Sequence, residues 1–397
     1  MTGLRAPSRQ SFDVVIVGGA VIGSAVAWWL TELGQPGRVL VVERDPSYEF
    51  ASTARSSSGI RQQFSTPVNV LISQFGVAFI RSFEGRLGED GCDLAFREHG
   101  YLVCCTAAGE ATARALAELQ RSLGAETVFL TAAEVGERFP YVATSDLAGA
   151  SWGAGAEGWF DAMGLMQGFR RSARRRGVEY VENEVVALDR AGGRVEAAHL
   201  ASGERVACGH VVNAAGTRAR KVARMAGLDL AVEARKRHSF LFSCPDPVPG
   251  RMPLVTDPSG IYVRPEGPWF LTGLASDPDL ESDPHDFDTD HALFEETIWP
   301  LIAHRVPQFE RARVERFYTG HYAYNTLDQN AVIGPPPELP NFHFANGFSG
   351  HGLQQAPAVG RGVAELILYG GYRSLDLSPL GPERMTAGRP LRETAVI

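Results

Sequence analysis

The run Gly18-Gly19-Ala20-Val21-Ile22-Gly23, with Glu43 placed 20 residues after Gly23, has the residue types and spacing to bind a dinucleotide. Gly18 allows a sharp turn. The small side chain of Ala20 lets a pyrophosphate approach the backbone, although a glycine is usual there and the methyl pushes the phosphates slightly outward. Gly23 lets a helix pack closely on a strand. The N–H groups of Val21 and Ile22, at the start of that helix, offer donors and the positive end of a dipole to phosphate. Glu43 can accept two hydrogen bonds from ribose hydroxyls. Arg44 follows it among the expected cofactor-binding residues; a 2′-phosphate is disfavoured because Glu43 would repel one.

A second glycine-rich stretch lies near the C-terminus. Asn346-Gly347-Phe348-Ser349-Gly350-His351-Gly352-Leu353-Gln354 leads into a helical pattern of apolar residues at Leu353, Ala356, Val359, Val363, Leu366 and Ile367. Pro357 is expected in or near the first turn, where proline is tolerated. A helix N-terminus opening at about residue 351 can stabilise negative charge near the pyrimidine carbonyl of a reduced flavin. A nicotinamide dehydrogenase needs no such second site, so FAD is expected rather than NAD.

Behind these residues stand the elements that must hold them. Residues 13–17 form a continuous apolar run, as expected of a buried parallel strand. Residues 24–33 show helical apolar spacing, Gly34 supplies a stop, and 38–43 form a second strand. The apolar run 14–30 contains three glycines and has no basic residue beside it, so it reads as strand plus helix and not as a signal peptide. The class is α/β, and 397 residues allow two or three domains. Hydrophobic residues at 44% and charged residues at 21% are ordinary for a soluble protein, and no membrane span is expected. A net charge of −8 argues against nucleic acid and anionic membranes as partners. Five cysteines, an odd number without metal-ligand spacing, predict no disulfide framework, no metal and a reducing, cytoplasmic location. A disulfide reductase is disfavoured by the lack of a CxxxxC pair and of a second nucleotide motif.

The chain resembles the D-amino-acid oxidase superfamily of flavoproteins, which includes sarcosine oxidase, glycine oxidase and dimethylglycine dehydrogenase. Four segments carry the resemblance: the first motif with Glu43, Ala51-Ser52-Thr53-Ala54-Arg55-Ser56-Ser57-Ser58-Gly59, Val211-Val212-Asn213-Ala214-Ala215-Gly216, and the stretch from Gly347 to Gly352. Three others, Gly59-Ile60-Arg61-Gln62-Gln63-Phe64, the stretch from Ala323 to Asn330, and Gly350-His351-Gly352-Leu353-Gln354-Gln355-Ala356-Pro357, resemble one branch. It is that of the FAD-dependent oxidoreductase-domain proteins that assist assembly of mitochondrial respiratory complex I.

The resemblance implies a Rossmann-like FAD-binding domain with the glutathione-reductase-like nucleotide fold. It would be discontinuous, over 1–90, 150–235 and 330–397. An α+β substrate domain with an antiparallel sheet would take 91–149 and 236–329. The implied cofactor contacts are Ser52, Thr53, Ser57, Ser58 and Gly59 in the first loop, and Val186 through its backbone over the adenine. They continue with Ala214, Ala215 and Gly216, and then Gly347, Ser349, Gly350, His351, Gly352, Leu353 and Gln354.

Such flavoproteins remove hydride from a carbon next to nitrogen, so the substrate is expected to be a small amine or amino acid; the electron acceptor is left open. The protein then needs a cation and phenols more than a catalytic triad. Arg61 is the leading cation for a carboxylate or the flavin, because a guanidinium grips bidentately. Tyr262 and Arg264 share one face of a strand by period two, as do Tyr322 and Tyr324 if that stretch is extended. His351 falls in the loop nearest the flavin, and if protonated it could supply positive charge there. Each also has a structural reading, as a buried or surface residue with no ligand, and His99 and His238 read only that way.

Departures from the relatives matter. Thr319-Gly320-His321-Tyr322 lacks the cysteine that tethers flavin in sarcosine oxidases, and 48–61 contains no histidine like that of dimethylglycine dehydrogenases, so noncovalent FAD is expected. Trp269-Phe270-Leu271-Thr272-Gly273 lacks the lysine that speeds oxygen reduction, and Gln354 stands where sarcosine oxidase has a carboxylate-binding lysine. The basic run from Arg170 to Arg176 reads as a solvated helix face. The leading expectation is an amine or amino-acid dehydrogenase or oxidase. The alternative is a flavin-stabilised assembly or binding protein with little turnover.

Overall fold

The computed structural model describes residues 3–34, 37–246, 248–275 and 278–395. Its first sheet runs in the order Val332–Gly334, Phe342–Asn346, Arg205–Asn213, Ser11–Val17, Val39–Glu43, Glu179–Glu182. Ser11–Val17 pairs in parallel with both neighbours, Phe342–Asn346 pairs in parallel with Arg205–Asn213 and antiparallel with Val332–Gly334, and Glu179–Glu182 pairs in parallel with Val39–Glu43. The runs Val14–Val17 and Val39–Val42 do not alternate because both faces are covered. On one face lie the helices Val21–Leu33, Ala162–Arg175 and Gly352–Tyr369. On the other lie the short helix Ala219–Met225 and the hairpin Val185–Ala191/Arg194–Leu200, which joins the sheet through Arg205–Asn213.

The second sheet has the order Arg313–Asn325, Val232–Ser243, Trp269–Ala275, Tyr262–Glu266, Leu254–Thr256, Tyr101–Cys105, Gly149–Gly153, Thr127–Thr131. It is antiparallel except where Leu254–Thr256 runs parallel to Tyr101–Cys105. The strand Gly149–Gly153 belongs to this sheet, between Tyr101–Cys105 and Thr127–Thr131. So does Val232–Ser243 from its first residue, since Val232 pairs with Asn325. Both strands thus straddle the expected divisions at 150 and 236. A strand's sheet is set by partners far along the chain, which local patterning does not show.

Pro357 sits in the second turn of its helix and not the first. Its own carbonyl accepts from Trp29 Nε1 at 2.8 Å. Among the described residues no helix is long and apolar enough to cross a membrane.

Candidate active site

A cleft of about 1590 Å³, counting its open mouth, runs along the ends of the first sheet's strands and under the second sheet. Its lining extends from the Gly18 turn to Leu353, a reach that suits an extended ligand. At one end the turn of Gly18, Ala20, Val21 and Ile22 faces Glu43 and Arg44. Gly18 has φ 98°, and a Cβ there would lie 2.5 Å from the Ala214 carbonyl oxygen. Gly23 lies beneath the turn, where a Cβ would be 1.9 Å from the Gly18 oxygen, so it serves the helix–strand contact and does not line the cleft. Ala214, Ala215 and Gly216 form the opposite wall.

Glu43 is placed by two contacts. Its carboxylate accepts from Gly19 N and from Asp45 N, both at 2.8 Å, and burial raises its pKa while those two donors oppose the rise. The turn and the acid are thus one unit. Ser52 and Thr53 also line the cleft; Thr53 Oγ1 accepts from Val21 N at 3.3 Å. Nearby, Asn183, Glu184 and Val185 contribute, whereas the Val186 side chain turns outward and is 45% exposed. Neighbouring side chains of a strand point to opposite faces, so Val186 projects away from the face that Val185 covers.

At the other end, Gly350, Gly352 and Leu353 bring the start of helix Gly352–Tyr369 to the cleft. Gly350 has φ 98°, and a Cβ would meet the Tyr322 ring at 2.5 Å, so Tyr322 lies directly on this turn. Neither this helix nor Val21–Leu33 is capped by the side chain of its own N-cap residue, so apart from Val21 N, which Thr53 takes, the first-turn backbone donors of both are left for a ligand. Gly347 and Ser349 hold the turn from behind. Ser349 Oγ accepts from Asn325 N at 3.0 Å, and Gly347 packs on Val232 and Asn325.

Several expected residues lie outside the cleft lining. The Arg61 guanidinium donates to the carbonyls of Gln63 and Ala395, approaches His351 Nε2 at 3.2 Å and lies 4.1 Å over the Phe64 ring. Gln354 Oε1 accepts from Arg61 N at 2.9 Å. Burial and the adjacent Arg61 charge hold His351 well below the usual histidine range. It is therefore neutral, which corrects the expectation that it could carry positive charge to the flavin. Arg264 donates to the Ser57 carbonyl through two nitrogens, at 3.1 and 2.7 Å, and pairs with Glu266. Tyr262 packs with Tyr101, Trp159 and Leu254, and the Arg264 guanidinium lies 5.0 Å over Trp159, so the two do share a face. Ser58 accepts from Phe160 N at 3.1 Å, and Gly59 pairs with Trp159 under Tyr101. Tyr324 stands beside Arg235, outside the cleft.

Sequence reasoning missed Arg237 and His321, both in the cleft wall. Arg237 is fixed by a bidentate pair with Asp279, two bonds of 2.8 Å, and lies 4.7 Å over the Tyr322 ring. The signal was available: Arg235 and Arg237 alternate on one strand as Tyr322 and Tyr324 do on another. His321 has a buried Nε2 with no partner, and burial lowers its pKa. Phe50 and Phe287 close the mouth, with ring centroids 4.7 Å apart.

These features fit FAD: paired helix N-termini, a glycine turn closed on a backbone carbonyl, and a ribose-type acid. Residues 13–366 match the FAD dependent oxidoreductase (DAO) family. The chain belongs to this family. As an FAD-dependent oxidoreductase it is 40% identical to FAD-dependent oxidoreductase domain-containing protein 1 of Bos taurus, over 98% of this chain and 88% of that protein. Its structure is similar to L-proline dehydrogenase from P. horikoshii, with TM-score 0.84, 26% identity and coverage of 96% and 99% of the two chains. It is also similar to glycine oxidase from Geobacillus kaustophilus, with TM-score 0.80, 25% identity and coverage of 94% and 98%. The Rossmann-like FAD domain with a roofing substrate sheet is the fold of these relatives.

Proposed function

We propose that this oxidoreductase converts a secondary amine or amino acid to its imine in a cytoplasmic setting, with noncovalently bound FAD. The observation that carries the reading is the convergence of two uncapped helix N-termini on one cleft whose far end holds Tyr322 and Arg237. The structural likeness to an L-proline dehydrogenase and a glycine oxidase supports the substrate class. Bound FAD supplies the acceptor for the hydride that leaves the substrate carbon next to nitrogen.

The chain's residues divide the remaining work. The turn at Gly18–Gly23 and the acid Glu43 hold the adenosine and pyrophosphate half. The start of helix Gly352–Tyr369 offers N–H donors where negative charge develops on the flavin half. Arg237, already locked by Asp279, presents a positive face beside Tyr322 that can orient a substrate carboxylate. The second sheet roofs the cleft and excludes water. The noncovalent reading is supported by the cysteines, none of which lines the cleft among the described residues.

A second reading, a flavin-stabilised assembly or binding protein with little turnover, draws support from one observation. Arg61 and Arg264 spend their guanidinium donors on backbone carbonyls and are not free to clamp a substrate. A turnover assay separates the two. The FAD-loaded protein is incubated with N-alkyl, cyclic and primary amino acids and an artificial dye acceptor, and the deaminated or dealkylated product is identified by mass. Product from one class supports the enzyme. Dye reduction at background across the panel supports the second reading.

A further inference from the structure

The five arginines of the basic run are not equivalent. Arg171 donates to the Asp90 carbonyl at 2.8 Å, Arg175 pairs with Glu89 at 2.7 Å and Asp90 at 3.1 Å, and Arg176 pairs with Glu32. Arg170 and Arg174 are the exceptions. They stand i,i+4 on helix Ala162–Arg175 and so share one face. Among the described residues neither forms an ion pair; the one side-chain hydrogen bond of Arg170 goes to Gln167, at 3.3 Å, and its buried Nε has no partner. They converge with Arg5 on a pocket of about 560 Å³, counting its opening.

The pocket is built and not merely a charged face. Arg5 is held in place by its backbone: its N donates to the Glu182 carbonyl at 2.9 Å, and its carbonyl accepts from Asn183 Nδ2 at 3.0 Å. Arg170 is pinned between two rings, 5.4 Å from the Tyr48 centroid and 5.8 Å from that of Tyr180. Tyr48 is strained as well as buried: its φ is 59°, a region costly for a bulky side chain, and its hydroxyl has no partner. Two carboxylates border the space. That of Glu43 is engaged by Gly19 N and Asp45 N, and that of Glu182 lies on the last residue of its strand. Three cations against these two leave the pocket net positive. Tyr48 and Glu43 also line the large cleft, so the pocket backs onto the adenosine end of the FAD site.

We propose that this pocket is a second ligand site, for a phosphate-bearing anion gripped by Arg5, Arg170 and Arg174. Guanidinium groups left without carboxylate partners around a concavity match phosphate oxygens in charge and in fork geometry. The site is separate from amine oxidation and holds whether or not that reaction is the protein's own.

Titration calorimetry of the FAD-loaded protein with inorganic pyrophosphate, at ionic strength held constant with sodium chloride, tests it. Arg174→Gln and Arg5→Gln change exposed, unpaired side chains and leave the core alone. We expect saturable one-to-one binding that weakens at least ten-fold in the double variant, and is unchanged in Arg175→Gln, where a surface ion pair is lost instead. No saturable heat in the unaltered protein, or equal binding in the double variant, overturns the proposal.

Discussion

Trp29 and Pro357 are joined by a 2.8 Å hydrogen bond from the indole N–H to the backbone carbonyl. It ties the helix that begins at the glycine turn to the helix that begins at the flavin-side loop, so the two N-termini are held as a pair. Beside it Gly360 meets Ala25, where a Cβ would lie 2.7 Å from the Ala25 Cβ and 2.8 Å from its backbone carbon. Gly360→Ala must therefore push the helices apart. We expect a loss of stability of about 1–3 kcal/mol, the usual cost of overpacking, together with weaker FAD binding. Thermal unfolding with and without added FAD checks both; unchanged FAD affinity at reduced stability would separate the helix contact from the site.

Glu43 holds the turn through Gly19 N and keeps lone pairs for a ribose. Glu43→Ala is expected to weaken FAD by about 1–3 kcal/mol, as for loss of a charged hydrogen-bond acceptor. Equilibrium dialysis or flavin fluorescence measures it. An unchanged dissociation constant would remove Glu43 from the site.

Glu157 is fully buried and accepts from Gln62 N at 2.7 Å and Gln63 Nε2 at 2.9 Å, yet burial pushes its pKa up to about 7. The folded protein thus binds a proton that the unfolded chain releases at about 4.5. The stabilisation is fully present below that pH and is lost as pH rises to about 7. At about 1.4 kcal/mol per unit this is on the order of 3 kcal/mol. Glu157→Gln should flatten that part of the stability–pH curve, seen by denaturant unfolding between those limits. A slope equal to that of the unaltered protein would show that Glu157 stays ionised.

Much of the site was legible because its signals are local. The glycine turn, its helix, the second strand and Glu43 follow one another within one βαβ unit, and the second helix start is marked by its own glycines. The orientation of Arg61 was not legible. Its guanidinium is drawn to the Ala395 carbonyl, 334 residues away, and no pattern near Arg61 predicts that. The alternation of Arg235 and Arg237 was legible, but that Arg237 is the one in the cleft depends on Asp279 and on the Tyr322 ring, both far along the chain. The sheet that Gly149–Gly153 joins was hidden in the same way, since it is defined by the strands on either side.

The tail that captures Arg61 is itself anchored by Glu393. This buried carboxylate accepts from Ser65 N at 2.7 Å, Thr66 Oγ1 at 2.8 Å and Asn69 Nδ2 at 2.9 Å, and those donors hold its pKa below the usual carboxylate range against the cost of burial. Glu393→Ala leaves them unpaired and should cost about 3 kcal/mol or more. Urea unfolding reads the loss; a change under about 0.5 kcal/mol, the scale of an ordinary surface substitution, would contradict the anchoring role.

Oxygen should be a poor acceptor. Leu271 and its neighbours replace the lysine expected of an oxidase, and His351 is neutral, so neither supplies the fixed positive charge that stabilises superoxide. Stopped-flow reoxidation in air-saturated buffer should be slow and a quinone or dye faster. Reoxidation as fast as that of a true oxidase would reverse this assignment.

The most direct test of the account is anaerobic mixing of the FAD-loaded protein with N-alkyl, cyclic and primary amino acids, followed by the absorbance of the oxidised flavin. The account predicts rapid, saturable bleaching by at least one member, weakened when Arg237 is replaced by alanine. An absorbance that no amine changes, in protein whose flavin dithionite reduces fully, would contradict it.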